Sequence, residues 1–202
     1  LNKKLIETIS NYVPDLIVFG HADSIDIDTL DFIRAYYPRI KMSQWFLDKM
    51  DSGWVRNKKR FMDKINSMDC SFCTTYPKEL KIDKSNKVYY MPNPADISFE
   101  TLKCYENNNQ TSDLFFAMSH GVHRGILKRG KFDKRAIFLQ NLRDKNANLK
   151  FDLYGHNNKQ PIWSDDYKIA LNKCKMALNL SQGEPSKFYS SDRIAQLVAN
   201  GI

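Results

Sequence analysis

The chain has 202 residues, 42% hydrophobic and 27% charged, a globular composition that excludes a disordered or collagen-like chain. No apolar run approaches the roughly 18 residues that a membrane helix needs, so a soluble chain is expected. The net charge of +8 is unevenly placed: residues 1–110 carry 16 basic and 15 acidic side chains, residues 111–202 carry 15 and 8, and 124–135 alone amounts to +5, so an anionic partner is sought in the second half.

In chain order, a helix is predicted over Lys3–Tyr12. The apolar run Asp15-Leu-Ile-Val-Phe-Gly20 follows and reads as a buried parallel strand. Asp28–Tyr37 is helical and stopped by Pro38, with Asp28 as its N-cap, and Lys41–Trp45 is a strand. A helix over Asn57–Ser67 leads to strands at Met68–Thr74 and Val88–Met91, the last ended by Pro92-Asn93-Pro94. Residues 98–112 are polar, include three consecutive asparagines, and read as a linker between a first domain (1–97) and a second (113–202). The second begins with a strand at Asp113–Met118, a Gly- and base-rich loop at Ser119–Lys131 and a helix at Asp133–Asp144. It continues with a strand at Leu149–Tyr154, a helix at Ser164–Asn172, a strand at Met176–Leu180 and a helix at Asp192–Asn200 capped by Gly201. Strand and helix alternate throughout, so the class is α/β with parallel sheets. The start at Leu1 and the stop just after a helix cap lead to the expectation that the chain is a piece of a longer protein.

Two loops suit anions. Residues 119–131 hold Gly121, Gly125 and Gly130, which allow close backbone approach, among Arg124, Lys128, Arg129 and Lys131, which supply charge-assisted hydrogen bonds. The spacing is neither a Walker A loop nor a dinucleotide fingerprint, and a solvated basic loop is the plainer alternative. Residues 181–193 include Lys187, Ser190, Ser191 and Arg193 ahead of the last helix, whose free N–H groups would face a diphosphate; ordinary capping competes with that reading. Asp26-Ile-Asp28 could hold a divalent ion but suits capping better. His21, after the first strand, stands where open parallel sheets place their crevice and is a candidate base. The four cysteines (70, 73, 104, 174) form no zinc pattern, read as buried thiols and fit a reducing cytosol.

These residues resemble the bacterial GT-B glycosyltransferases. The resemblance is strongest over 113–201, through Asp-Leu-Phe-Phe-Ala-Met-Ser-His-Gly (113–121), Arg135 and its helix, Phe-Asp-Leu-Tyr-Gly (151–155), Lys-Met-Ala-Leu-Asn-Leu-Ser (175–181) and Ser-Ser-Asp-Arg-Ile-Ala-Gln-Leu-Val-Ala-Asn-Gly (190–201). It is weaker over the first half, where Trp45-x-x-Asp48 and Met91-Pro-Asn-Pro-Ala-Asp96 resemble the later part of an acceptor domain. The resemblance implies two Rossmann-like parallel-sheet domains, both incomplete, and transfer of a sugar from a nucleotide diphosphate-sugar to an acceptor hydroxyl, without an essential metal or cofactor. It assigns donor contacts to Gly121, Arg124, Lys128, Arg135, Lys187, Ser190, Ser191, Arg193 and Gln196, and a catalytic role to His21 and Asp48. Many relatives carry a ribose-binding glutamate where this chain has Gln196, an amide without the charge. A saccharide or lipid-linked acceptor, a cytoplasmic setting and contact with the inner membrane surface follow from the same resemblance; nucleic acid does not. The alternatives are a non-catalytic module binding nucleotide or sugar phosphate, and a basic nucleic-acid-binding protein.

Overall fold

Short apolar runs, separated by helices long enough to cross back over a sheet, become parallel strands in both halves of the chain. A computed structural model describes residues 1–50, 53–119 and 133–202, together with the backbone of 122–123 and 126–127. The chain is α/β and divides into two units: Leu1–Asn93 with Pro185–Ser191, and Pro94–Glu184 with Asp192–Ile202.

The first unit runs α1 (Asn2–Tyr12), β1 (Leu16–Gly20), α2 (Ile27–Tyr36), β2 (Lys41–Phe46), α3 (Val55–Ile65), β3 (Cys70–Cys73), a 3₁₀ turn at Pro77–Leu80 and β4 (Val88–Tyr90). The four strands are all parallel and lie in chain order, β1-β2-β3-β4. Each crossover therefore steps the same way, and right-handed connections put successive helices on one face. The cores agree. Phe19 and Met42 pack with Leu30 and Ile33 of α2 and Ile9 of α1, and Phe46 and Cys73 pack with Phe61 and Ile65 of α3.

The expected buried first strand is corrected here. β1 is parallel, but it lies at the edge of the sheet, and only Phe19 is buried. Leu16 (56% exposed) and Val18 (55%) project from the face opposite the helices. Four consecutive apolar side chains cannot report how many neighbours a strand has, and the composition of β1 is that of a central strand. Asp28 is also corrected: α2 starts at Ile27 with Asp26 in the N-cap position, and the Asp26 carboxylate accepts from the Asn2 amide (2.6 Å) rather than from a helix N–H.

Asp69 ties this unit together just before β3. Its carboxylate accepts from Arg34 Nη2 (2.7 Å) at the end of α2 and from the Met42 N–H (2.9 Å) in β2, with Lys41 Nζ at 3.4 Å. Desolvation pushes its pKa up, but the Met42 N–H, Arg34 and Lys41 outweigh it and hold the value down at about 2. The Cys73 thiol donates to the Thr75 carbonyl (3.1 Å), and burial pushes it up to about 12.

The second unit has a 3₁₀ turn at Cys104–Glu106, β5 (Ser112–Ala117), a two-stranded antiparallel pair β6 (Val122–His123) and β7 (Ile126–Leu127), α4 (Lys134–Lys145), β8 (Phe151–Tyr154), α5 (Ser164–Asn172), β9 (Cys174–Ala177) and α6 (Asp192–Ala199). The parallel sheet has the order β8-β5-β9, with the first strand in the middle. The chain steps from β5 to one side and then crosses to the other, so α4 and α5 fall on opposite faces. Leu114 and Phe116 accordingly pack with Leu139 of α4, and Phe115 and Ala117 with Ala170 and Leu171 of α5. Residues 98–112 lie in this unit, and Cys104 is buried in its core.

β9 starts and ends earlier than the apolar run 176–180 predicts. Its register is set by β5, pairing Ser112 with Cys174 and Phe115 with Ala177, while Leu178 and Leu180 turn into the core beneath α4. α6 closes as expected with Gly201 left-handed (φ +77°). The Ile202 N–H reaches the Leu197 carbonyl and the Gly201 N–H that of Val198, a Schellman arrangement. Gly155 ends β8 with φ +71°, and a Cβ there would stand 1.8 Å from the Met118 carbonyl oxygen, so only glycine lets β8 and β5 close up at their carboxyl ends.

Candidate functional site

Two groupings stand at strand carboxyl ends, one in each unit. The first is a charged cluster around His21. The chain leaves β1 through two left-handed residues, His21 (φ 58°) and Ala22 (φ 40°), which fold the imidazole back toward the end of β2. There the ring stacks on Phe46, with centroids 4.5 Å apart. Its Nε2 lies 3.8 Å from Asp48 Oδ2, so the two residues assigned a catalytic role by resemblance stand together. Asp48 arrives two residues after β2 ends.

Arg60 of α3 organises the group. Its Nη2 is 3.0 Å from His21 Nδ1, its Nε donates to Asp23 Oδ1 (2.9 Å), and Nη2 also contacts the other Asp23 oxygen. Nη1 donates to Asn57 Oδ1 (3.1 Å) and lies 3.5 Å from Asp48 Oδ2, while the guanidinium carbon sits 5.3 Å from the Phe46 ring centre. The hydrogen bond from Arg60 holds the Asp23 carboxyl below its usual value, against desolvation and with help from the charges of Arg60 and Lys64. The same bond raises Arg60. Asp23 and Arg60 are missing from the sequence-based site. Arg60 stands in the run Arg56-Asn-Lys-Lys-Arg60, which reads as a solvated helix face, and only the fold shows that one of its cations turns inward.

The second grouping is a cavity of about 510 Å³ in the second unit, at the carboxyl end of β5. Met118 and Ser119 form one wall, Trp163, Tyr167 and Lys168 at the start of α5 another, and Asp192, Arg193 and Gln196 of α6 a third. Arg193 is braced by its own Nη1–H donating to the Leu180 carbonyl (2.8 Å) and by the Phe116 ring beneath it (5.0 Å). The Tyr167 hydroxyl is buried without a hydrogen-bond partner among the described residues, and burial pushes its pKa up. Trp163, Tyr167 and Lys168 carry no motif in the sequence; α5 reads there as an ordinary amphipathic helix.

Compared with known proteins, the chain matches no family model, no curated protein and no solved structure. Site chemistry therefore rests on this chain's own geometry.

Gly121, Arg124 and Lys128 lie outside the described residues. Arg135 grips Asp133, the N-cap of α4, through Nε (3.1 Å) and Nη2 (2.7 Å), an ion pair whose side chains are only 15% and 4% exposed. Lys187, Ser190 and Ser191 belong to the first unit. Lys187 Nζ lies 4.6 Å from the Tyr76 ring centre, Phe188 packs against Tyr76 and Tyr90, and the Ser190 carbonyl accepts from the Asn93 amide (3.0 Å). Arg193 and Gln196 line the second-unit cavity. Among the described residues, no group of three or more His, Cys, Asp or Glu side chains is arranged to hold a metal. No helix among them is long and apolar enough to cross a membrane.

Proposed function

We propose that this chain is a GT-B-type glycosyltransferase that moves a sugar from a nucleoside diphosphate-sugar to an acceptor hydroxyl. The observation that carries the reading is the cavity at the carboxyl end of β5 in the second unit. Its volume of about 510 Å³ suits a nucleotide-sized ligand. It opens at the carboxyl end of β5, the strand from which the chain departs to both sides, where open α/β sheets bind their ligands. Trp163 offers a face for a base, and Lys168 and Arg193, beside the carboxylates of Glu100 and Asp192, offer positive charge for a diphosphate.

Departure of the nucleoside diphosphate builds negative charge on its phosphate oxygens, and the cations of the second unit stabilise it in place. The first unit holds the acceptor hydroxyl through His21 and Asp48. A saccharide or lipid-linked acceptor, in a cytoplasmic setting, is the partner this reading implies.

Calorimetry with UDP, GDP, ADP and CMP, and with their sugar conjugates, tests it. One nucleotide series is expected to bind, and Arg193→Ala is expected to weaken that binding by roughly 10- to 100-fold, the loss of a charged hydrogen bond. Absence of nucleotide binding by the wild-type chain overturns the reading. Binding without turnover of any sugar assigns the chain to the non-catalytic class instead.

A further inference from the structure

Arg60 sets the protonation pattern of the cluster in the first unit. A guanidinium carries five N–H donors and no acceptor, so any short contact it makes with a ring nitrogen is a bond that it donates. Its Nη2 is 3.0 Å from His21 Nδ1. Nδ1 is therefore the accepting nitrogen and carries no proton, and the single proton of the neutral ring sits on Nε2. That nitrogen faces Asp48 Oδ2 at 3.8 Å, long for a direct bond, and an oxygen seated beside the pair can bond to both.

Arg60 is not free to turn away. Its Nε and Nη2 bind the Asp23 carboxylate, Nη1 is held by Asn57, and the guanidinium rests on the Phe46 ring that also stacks His21. The left-handed backbone at His21 and Ala22 brings ring and carboxylate to this one cation from the loop after β1. Five side chains from three segments thus agree on one hydrogen-bond direction.

We infer that the Asp23–Arg60 ion pair fixes His21 as the Nε2–H tautomer, making His21 a hydrogen-bond donor to the substrate oxygen and leaving Asp48 to accept that oxygen's proton. Arg60 and Asp23 are positioning residues. The tautomer stands on the geometry alone, whereas the division of roles rests on the glycosyl-transfer reading above. In that step the acceptor O–H bond breaks, its proton passing to the Asp48 carboxylate and its electron pair staying on the oxygen. His21 takes no proton. Its N–H points at the reacting oxygen and orients it.

Long-range ¹H–¹⁵N correlation spectra of the labelled full chain, recorded where the ring is neutral, test the tautomer. His21 is expected to show a protonated Nε2 and a lone-pair Nδ1. Arg60→Met, which keeps an apolar stem over Phe46, is expected to turn this into an exchanging mixture. Asp23→Asn, which keeps Arg60 but loosens it, is expected to do so in part. An Nδ1–H signal in the wild type, or spectra unchanged in both variants, overturns the inference. If Arg60→Met fails to fold, the wild type and Asp23→Asn still decide it.

Turnover tests the roles. His21→Gln keeps an N–H near the Nε2 position and is expected to lose about tenfold in kcat, where His21→Ala loses about a hundredfold, the effect of removing a preorganised donor. Equal losses overturn the donor role. Absence of any turnover in the wild type fails the glycosyl-transfer reading and with it the division of roles, while the spectra decide the tautomer independently.

Discussion

The two sheets use the same parts in different orders, and the order decides what kind of site each can build. In the second unit β5 lies in the middle, the chain winds to both sides, and helices cover both faces. The loops after a central strand part company there and leave a crevice, and the cavity is found at that point. In the first unit all four strands step one way. No winding reversal opens a crevice among the described residues, and the polar group at its strand ends is a dense cluster of ion pairs instead. The cavity beside β5 comes with winding in two directions, whereas winding in one direction brings charged side chains together at the strand ends.

That contrast can be broken by mutation. Phe116 is fully buried in the central strand, against α4 and beneath Arg193. Phe116→Ala is expected to cost about 3–5 kcal/mol in urea unfolding, the range for a deleted core aromatic, and to weaken nucleotide binding by releasing Arg193. A loss below about 1 kcal/mol would mean that β5 is not the doubly covered strand described.

Asp69 comes next in size. Its folded-state pKa of about 2 lies below the unfolded value near 3.8, so its contribution is fully present above about pH 4 and is lost as pH falls toward 2. Asp69→Asn is expected to remove up to about 2 kcal/mol at neutral pH, less the screening of a carboxylate one-third exposed, and to flatten the acid limb of the stability profile. An unchanged acid limb would show that Arg34 and Met42 do not hold this carboxylate.

The smallest effect belongs to the first unit's open face. Val18→Ala removes a side chain 55% exposed beyond the helices and is expected to change stability by less than about 0.5 kcal/mol in the same urea measurement. A loss of 2 kcal/mol or more would mean that this face is covered in solution, and the comparison of singly and doubly covered sheets would then fail.

Much of the fold is legible in the sequence. α5 spans Ser164–Asn172 as predicted, β5 differs by one residue at each end, and Gly201 caps α6 as its position after an apolar-periodic run suggests. Such features depend on local pattern, and local pattern is written in consecutive residues. Strand neighbours are not. The composition of β1 suits a buried strand, yet its place at the edge depends on pairings made tens of residues away, and β9 starts where β5 needs it rather than where its own apolar run begins. His21 was legible as a candidate by its position after β1, and Asp48 only through the family resemblance. Arg60 was not, because a cation turned inward has the same neighbours in sequence as one facing water.

The sequence by itself determined the α/β class, the parallel strands and the helix spans to within two residues, since each depends on periodicity, capping and chain stiffness within a few residues. Tertiary structure alone decided strand order, the face each strand buries, the cavity beside β5 and the partner of His21. Those depend on which distant segments share a boundary. The +7 of the second half and the ion pairs of the first show the limit: composition counts charges, but only folding decides which ones meet.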